Sequence, residues 1–202
     1  MERLNLSLHI KAGNWRKYHQ RIESANYQKI HEMIGTECEY RCIYCGYQSK
    51  KNQLVNKNFD YQDNTRKNIA LACSLCLPIV LFDGFGQDRS FNGTVIVMPE
   101  LRQVELNHFV RGLIASAEKN PHYQSRLNEM YLSFAERKDY VEKIFGKNSY
   151  DPKYFAQGLM DTFIDEKKLQ HPILKYIRIL PDRAALKNEV PDFVEAYLHV
   201  NV

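Results

Sequence analysis

The chain has 202 residues, 44% of them hydrophobic and 26% charged, which fits one globular domain or two closely packed pieces. A membrane span is excluded by composition: the longest nearly apolar run, Leu75 to Phe82, holds a proline and is far short of the ~20 residues a spanning helix needs. Net charge is +4 and uneven, with 12 Lys/Arg against 7 Asp/Glu in residues 1–76 and 16 against 17 thereafter, a modest excess that permits nucleic-acid contact without requiring it.

Leu4, Leu6, Leu8 and Ile10 alternate with polar residues and predict a half-buried strand. Its start, Met1-Glu2-Arg3-Leu4, has no apolar signal core, so a cytoplasmic, reducing compartment is expected. Gly13-Asn14 reads as a turn, and the only tryptophan, Trp15, follows. Arg21 to Ile34 predicts a helix with Ile22, Ile30 and Met33 on its apolar side, stopped by Gly35. Tyr47 to Val55 reads as one or two strands, and Asn56 to Asn64 as a polar loop. Thr65 is a candidate cap for a short helix through Ile69 and Leu71. After a glycine-punctuated loop from Asp83 to Gly93, Thr94 to Met98 is a β-branched strand.

Pro99-Glu100 predicts the start of a helix carrying Leu101, Val104, Val110, Leu113 and Ile114. Leu127 to Phe145 predicts one long or broken helix ending at Gly146. Asp151-Pro152 caps the next, with Phe155, Leu159, Met160 and Phe163. Ile177 to Pro181 reads as an apolar connector, Asp182 as the cap of a helix at 183–186, and Pro191 as the start of a last helix through Phe193, Val194 and Leu198. The expected class is α+β: residues 1–98 a cysteine-bearing core with an added N-terminal strand, residues 99–202 a mostly helical layer packed on it.

The chemistry sits in two cysteine pairs, Cys42-Ile43-Tyr44-Cys45-Gly46 and Cys73-Ser74-Leu75-Cys76. Two intervening residues let the backbone bend so that both sulfurs face one ion, and two such pairs supply the four thiolates of a tetrahedral zinc site. Such a site has no open coordination position, so the zinc is expected to be structural. Iron–sulfur chemistry uses the same ligands and is the weaker alternative. Cys38 lies four positions before Cys42 and reads as a free thiol; His31 and the other histidines have no ligand spacing.

The stretch from Leu54 to Cys73 resembles the HNH endonuclease core, two strands and a helix in a treble-clef (ββα) arrangement around a catalytic metal, with Asn68 matching the family's middle asparagine. The catalytic parts are missing. Val55 and Asn56 stand where that family has its general-base histidine, and Leu77-Pro78-Ile79-Val80-Leu81 stands where it has a metal-binding one. The resemblance therefore implies a nuclease scaffold without catalytic residues, with Asn68 tying the loop by hydrogen bonds.

A closer resemblance runs from end to end. Leu6-Ser7-Leu8-His9, Gly13-Asn14-Trp15-Arg16, Cys42 to Gln48, Asn64 to Cys76, Pro99-Glu100-Leu101, Glu105-Leu106-Asn107, Ser133-Phe134, Ile177 to Pro181 and Arg183-Ala184 together resemble the IcmJ (DotN) family of the Dot/Icm type IVB secretion system. That resemblance implies a cytoplasmic, non-catalytic adaptor, recruited to the inner membrane by binding the C-terminal tail of the coupling ATPase. Acidic adaptor chaperones and exported effector proteins would be indirect partners, and Cys42, Cys45, Cys73 and Cys76 the zinc ligands. The helical layer's aromatics, among them Phe109, Tyr131, Phe134, Phe145, Tyr154 and Phe155, read mainly as core. Trp15 with Arg16 is a candidate partner anchor, although a tryptophan packed on the zinc core is the preferred reading. Two other functions stay open: an active nuclease with His31 or His108 brought in from elsewhere, and a zinc-dependent nucleic-acid-binding module.

Overall fold

The computed structural model describes residues 3–88, 91–162 and 172–200. The N-terminal segment is extended and buries Leu6 and Ile10 on one side, as its alternation requires, but it is not a sheet strand. Its backbone is satisfied piecemeal instead: Leu4 N donates to Ile43 O (3.0 Å), His9 N to Ile79 O (2.9 Å), and His9 O accepts from Phe82 N (3.2 Å).

The predicted single helix over 21–34 is two helices, α1 (Asn14–Ile22) and α2 (Tyr27–Glu37). The break falls at Ser24, whose hydroxyl donates to Arg21 O (2.7 Å) and competes with the helical ladder. Gly35 lies inside α2 and does not end it. The Tyr40 ring rests on it so closely that a Cβ there would come within 2.2 Å of the ring. The inward face of α2 carries His31 and Ile34, while Ile30 and Met33, expected inside, are exposed.

β1 (Gln53–Asn56) and β2 (Ile69–Ala72) form an antiparallel hairpin, with Leu54 opposite Leu71 and Asn56 opposite Ile69. β2 corrects the expected Thr65-capped helix: Arg66–Asn68 is a single 3-10 turn without a side-chain cap, and the chain then extends. All four residues of β2 are buried, and a short run that is apolar on both faces carries no period to separate strand from helix. One helical turn, α3 (Leu77–Val80), follows directly.

β3 (Gly93–Val97) pairs antiparallel with β4 (Ile177–Pro181), so the supposed connector is a strand. Between them run α4 (Gln103–Lys119), α5 (Gln124–Ala135), α6 (Lys138–Phe145) and α7 (Pro152–Thr162). α4 starts later than Pro99-Glu100 suggested. The segment before it is held to β4 by Met98 N donating to Tyr176 O and Arg178 Nε to Leu101 O, and Glu105 caps the helix by accepting from Arg102 N (2.7 Å). The break between α5 and α6 and the stop at Gly146 (φ +96°) follow the expected pattern. Phe163 lies outside the described residues. Asp182 accepts from Ala184 N (2.9 Å) and opens a 3-10 segment, Ala184–Glu189, that leads into α8 (Val190–Val200).

One apolar cluster draws on both sides of residue 98, from Leu6 and Tyr44 through Phe82, Val95, Leu106 and Val141 to Phe155, Leu180 and Phe193. Of the six helical-layer aromatics expected in the core, Phe155 is fully buried, Phe109, Tyr131 and Phe134 are half-buried, and Phe145 and Tyr154 are exposed. No helix among the described residues is long and apolar enough to cross a membrane.

Phe82 has no exposed surface and packs edge to face on Phe155 and tilted on Phe85. Phe82→Ala should cost about 3–5 kcal/mol in denaturant unfolding, whereas Leu132→Ala, on the exposed side of α5, should stay within about 0.5 kcal/mol.

Candidate metal centre

The two cysteine pairs meet because the hairpin delivers one and the N-terminal half ties the other to it. β2 runs straight into Cys73, and Cys76 N and Leu77 N both donate to Cys73 O (2.9 and 2.8 Å). The first pair turns through Gly46, whose φ of +76° suits glycine and whose N–H donates to Cys42 O (2.9 Å). Ile43 N donates to Leu71 O (2.7 Å), so the first turn is hydrogen-bonded to β2. The four sulfurs lie within 4.8 Å of one another and all four residues are buried. Tetrahedral zinc with sulfurs at ~2.3 Å needs sulfurs about 3.8 Å apart; Cys45 and Cys73 are 3.5 Å apart. The cluster fits zinc binding.

The sulfurs titrate as a set. Burial pushes the Cys42 and Cys76 thiols up. Hydrogen bonds from the neighbouring sulfurs hold Cys45 and Cys73 down, and the Arg111 charge lowers Cys45 further. Four thiolates around a dication would leave a net charge of about −2 in the interior, and α4 directs donors at the sulfurs that would offset it. Arg111 Nη2 donates to Cys73 Sγ and Asn107 Nδ2 to Cys76 Sγ, each at 3.5 Å. Arg111 is itself fixed by stacking, its guanidinium 3.9 Å from the Tyr47 ring centre and 5.3 Å from that of Phe193.

Asn107 also donates to Leu75 O (3.0 Å) and accepts from Gln103 Nε2 (2.9 Å). Gln103 in turn donates to Ile179 O (2.8 Å) and accepts from Ile179 N (2.9 Å). A polar stripe on α4 thus connects β4 to the cysteine cluster. Sequence reasoning missed it, although Gln103, Asn107 and Arg111 stand four apart in a helix otherwise apolar on that side; that spacing was the available signal. His108 stands at the rim with Nε2 3.1 Å from Cys45 O.

Asn68 sits at the base of the hairpin loop. It accepts from Asn58 N (3.0 Å) and donates to Asn58 Oδ1 and Asp63 O (2.8 Å each). Asn56 is buried and donates to Asp60 O and Asp63 O (2.8 and 2.6 Å). His31 is occupied with Asn52 O (2.6 Å). Cys38 lies apart from the cluster, half-buried, with Sγ 3.8 Å from Gly35 O. Trp15 is half-buried away from the cysteines, its backbone N–H donating to Asp83 Oδ2 (2.9 Å) and its ring against Gly84; Arg16 is exposed.

Fold and site together define an α+β protein whose interior is organised around a buried four-cysteine cluster suited to zinc. No protein-family model matches the chain. It is 30% identical over 198 residues to the type 4 apparatus protein DotN of Legionella pneumophila subsp. pneumophila (strain Philadelphia 1), a match covering 98% of this chain and 92% of that protein. The chain belongs to the DotN (IcmJ) family.

Gln103→Ala should remove the partner of both backbone groups of Ile179 and cost about 2–4 kcal/mol in chemical denaturation. The exposed neighbouring change Arg102→Ala should cost less than about 1 kcal/mol.

Proposed function

We propose that the chain is a non-catalytic adaptor subunit of a type IV secretion apparatus, built on a degenerate HNH-like core around one structural zinc. Cys42, Cys45, Cys73 and Cys76 hold the ion. The subunit binds the C-terminal tail of the coupling ATPase at the cytoplasmic face of the inner membrane, and through that complex supports recruitment and export of effector proteins. The observation that carries this reading is the similarity to DotN, a type 4 apparatus protein, over nearly the whole of both chains.

The hairpin supports the scaffold part of the reading. β1, β2 and α3 follow one another with a long loop between the strands, and Asn68 braces that loop. The position where an HNH enzyme needs a general base holds Val55 and Asn56, both buried, with the Asn56 amide spent on the loop backbone. Neither histidine that would have to replace it is placed for the task, since His31 bonds Asn52 O and His108 faces Cys45 O.

Purified protein should contain one zinc per chain by elemental analysis, and removing the ion with a strong chelator should cost on the order of 10 kcal/mol of folding stability. Zinc-loaded protein should retain the C-terminal tail of its coupling ATPase in a pull-down, and a variant with serine at all four cysteines should not. Absence of binding by folded, zinc-loaded protein would remove the adaptor reading. Plasmid cleavage with magnesium or manganese by the purified protein would replace it with the nuclease.

A further inference from the structure

A closed metal site needs an element that can move aside to admit the ion. Cys42, Cys45, Cys73 and Cys76 are each at most 1% exposed, so the sulfurs are sealed from solvent. A cleft of about 910 Å³ leads toward them between the turn after Cys45 and the facing sides of α4 and α8. Its inner end is plugged by a stack. The Arg111 guanidinium sits 3.9 Å from the Tyr47 ring centre and 5.3 Å from that of Phe193, and the two rings pack edge to face at 5.9 Å. From within the stack Arg111 Nη2 reaches Cys73 Sγ at 3.5 Å.

The elements around this plug are unequally held. α4 is bonded to β4 through Gln103 and to the second cysteine turn through Asn107, and the first cysteine turn is bonded to β2 through Ile43. Among the described residues no backbone hydrogen bond joins α8 to another element. Side chains hold it instead: Phe193 in the plug, Asp192 with Lys51 at 2.8 Å, and Glu189, just before the helix, accepting from Ser74 Oγ. A cavity of about 400 Å³ adjoins Leu186 and Glu189, so the segment leading into α8 has space beside it.

We propose that α8 is the gate of the metal site and that Phe193 is its latch. Outward movement of α8 draws Phe193 off Arg111, lets the guanidinium swing into the cleft and uncovers the cluster at Cys45. The helix suits the role because opening it breaks side-chain contacts and no strand pairing. The coupling is reciprocal. Sulfurs fixed by an ion keep Cys73 in place as the acceptor of Arg111, and so hold the platform on which Phe193 rests. Ion loss and release of α8 therefore favour one another.

The inference rests on reading the cluster as a zinc site, and the rate at which zinc-loaded protein gives up its ion to an excess of a zinc-sensing dye chelator tests it. Phe193→Ala should speed release about tenfold or more, because opening no longer exposes a buried ring. Phe155→Ala removes an equally buried ring, one packed on Phe82 and Phe145, and should change the rate less than about threefold. Hydrogen exchange on the wild-type protein needs no variant. Chelation should speed exchange in residues 190–197 before it does so in β3 and β4. Equal acceleration of release by the two substitutions, unchanged protection of α8 on chelation, or loss of protection everywhere at once would each overturn the gate. Protein that binds no zinc would overturn the gate and the zinc reading together, whereas zinc-loaded protein whose release ignores Phe193→Ala would overturn the gate alone.

Discussion

Four sulfurs confined within a few ångströms inside a protein pose a charge problem, and much of the surrounding structure answers it. Neutral thiols crowd one another without an ion, while thiolates without compensation would be expelled by the low dielectric. The fold supplies hydrogen-bond donors from α4, and those donors make demands of their own. A buried guanidinium has to be stacked and a buried carboxamide has to be paired at both ends. The stacking comes from Tyr47 and Phe193, far apart in the sequence, and the pairing from Gln103 and β4. The electrostatics of one small site thus fix how three distant segments pack.

This explains why the helical layer joins the core as it does. α4 presents one stripe to the cysteine cluster and to β4, and α8 covers the Arg111 stack. β3 and β4 close beneath, with Gln103 standing in for a strand neighbour at Ile179. Asp83 does similar work elsewhere, accepting from Trp15 N at the start of α1 in place of a local cap.

Motifs whose physics is local were legible in the sequence. Each cysteine pair carries its turn within four residues, and Gly146 and Asp182 act on their immediate neighbours. Segments whose state depends on a distant partner were not. β2 reads equally well as a buried helix until β1 is set beside it, and Ile177 to Pro181 becomes a strand only because β3 accepts it. The N-terminal alternation gave the right buried side and the wrong element, since burial alternates along any extended chain whether or not a ladder forms. The α4 stripe was hidden for a further reason: Gln, Asn and Arg on a helix usually face water, and only the sulfurs they meet make their burial worthwhile. The exposure of Ile30, Met33 and Tyr154 has no counterpart in the pattern that placed them inside.

The pairing of β3 with β4 bears on the order of events during synthesis. Gly93 meets Pro181 only after all of α4 to α7 has left the ribosome, so the second sheet is a late, high-contact-order event. Both cysteine pairs and the hairpin between them emerge long before it. A nucleus built on the cysteine cluster and the hairpin would then wait with the β3 edge open while the helices accumulate. Closure comes only when the C-terminal fifth of the chain arrives to pair that edge and stack Phe193 on Arg111. The interval is the period in which the nascent chain most needs protection from misassociation at an unpaired strand.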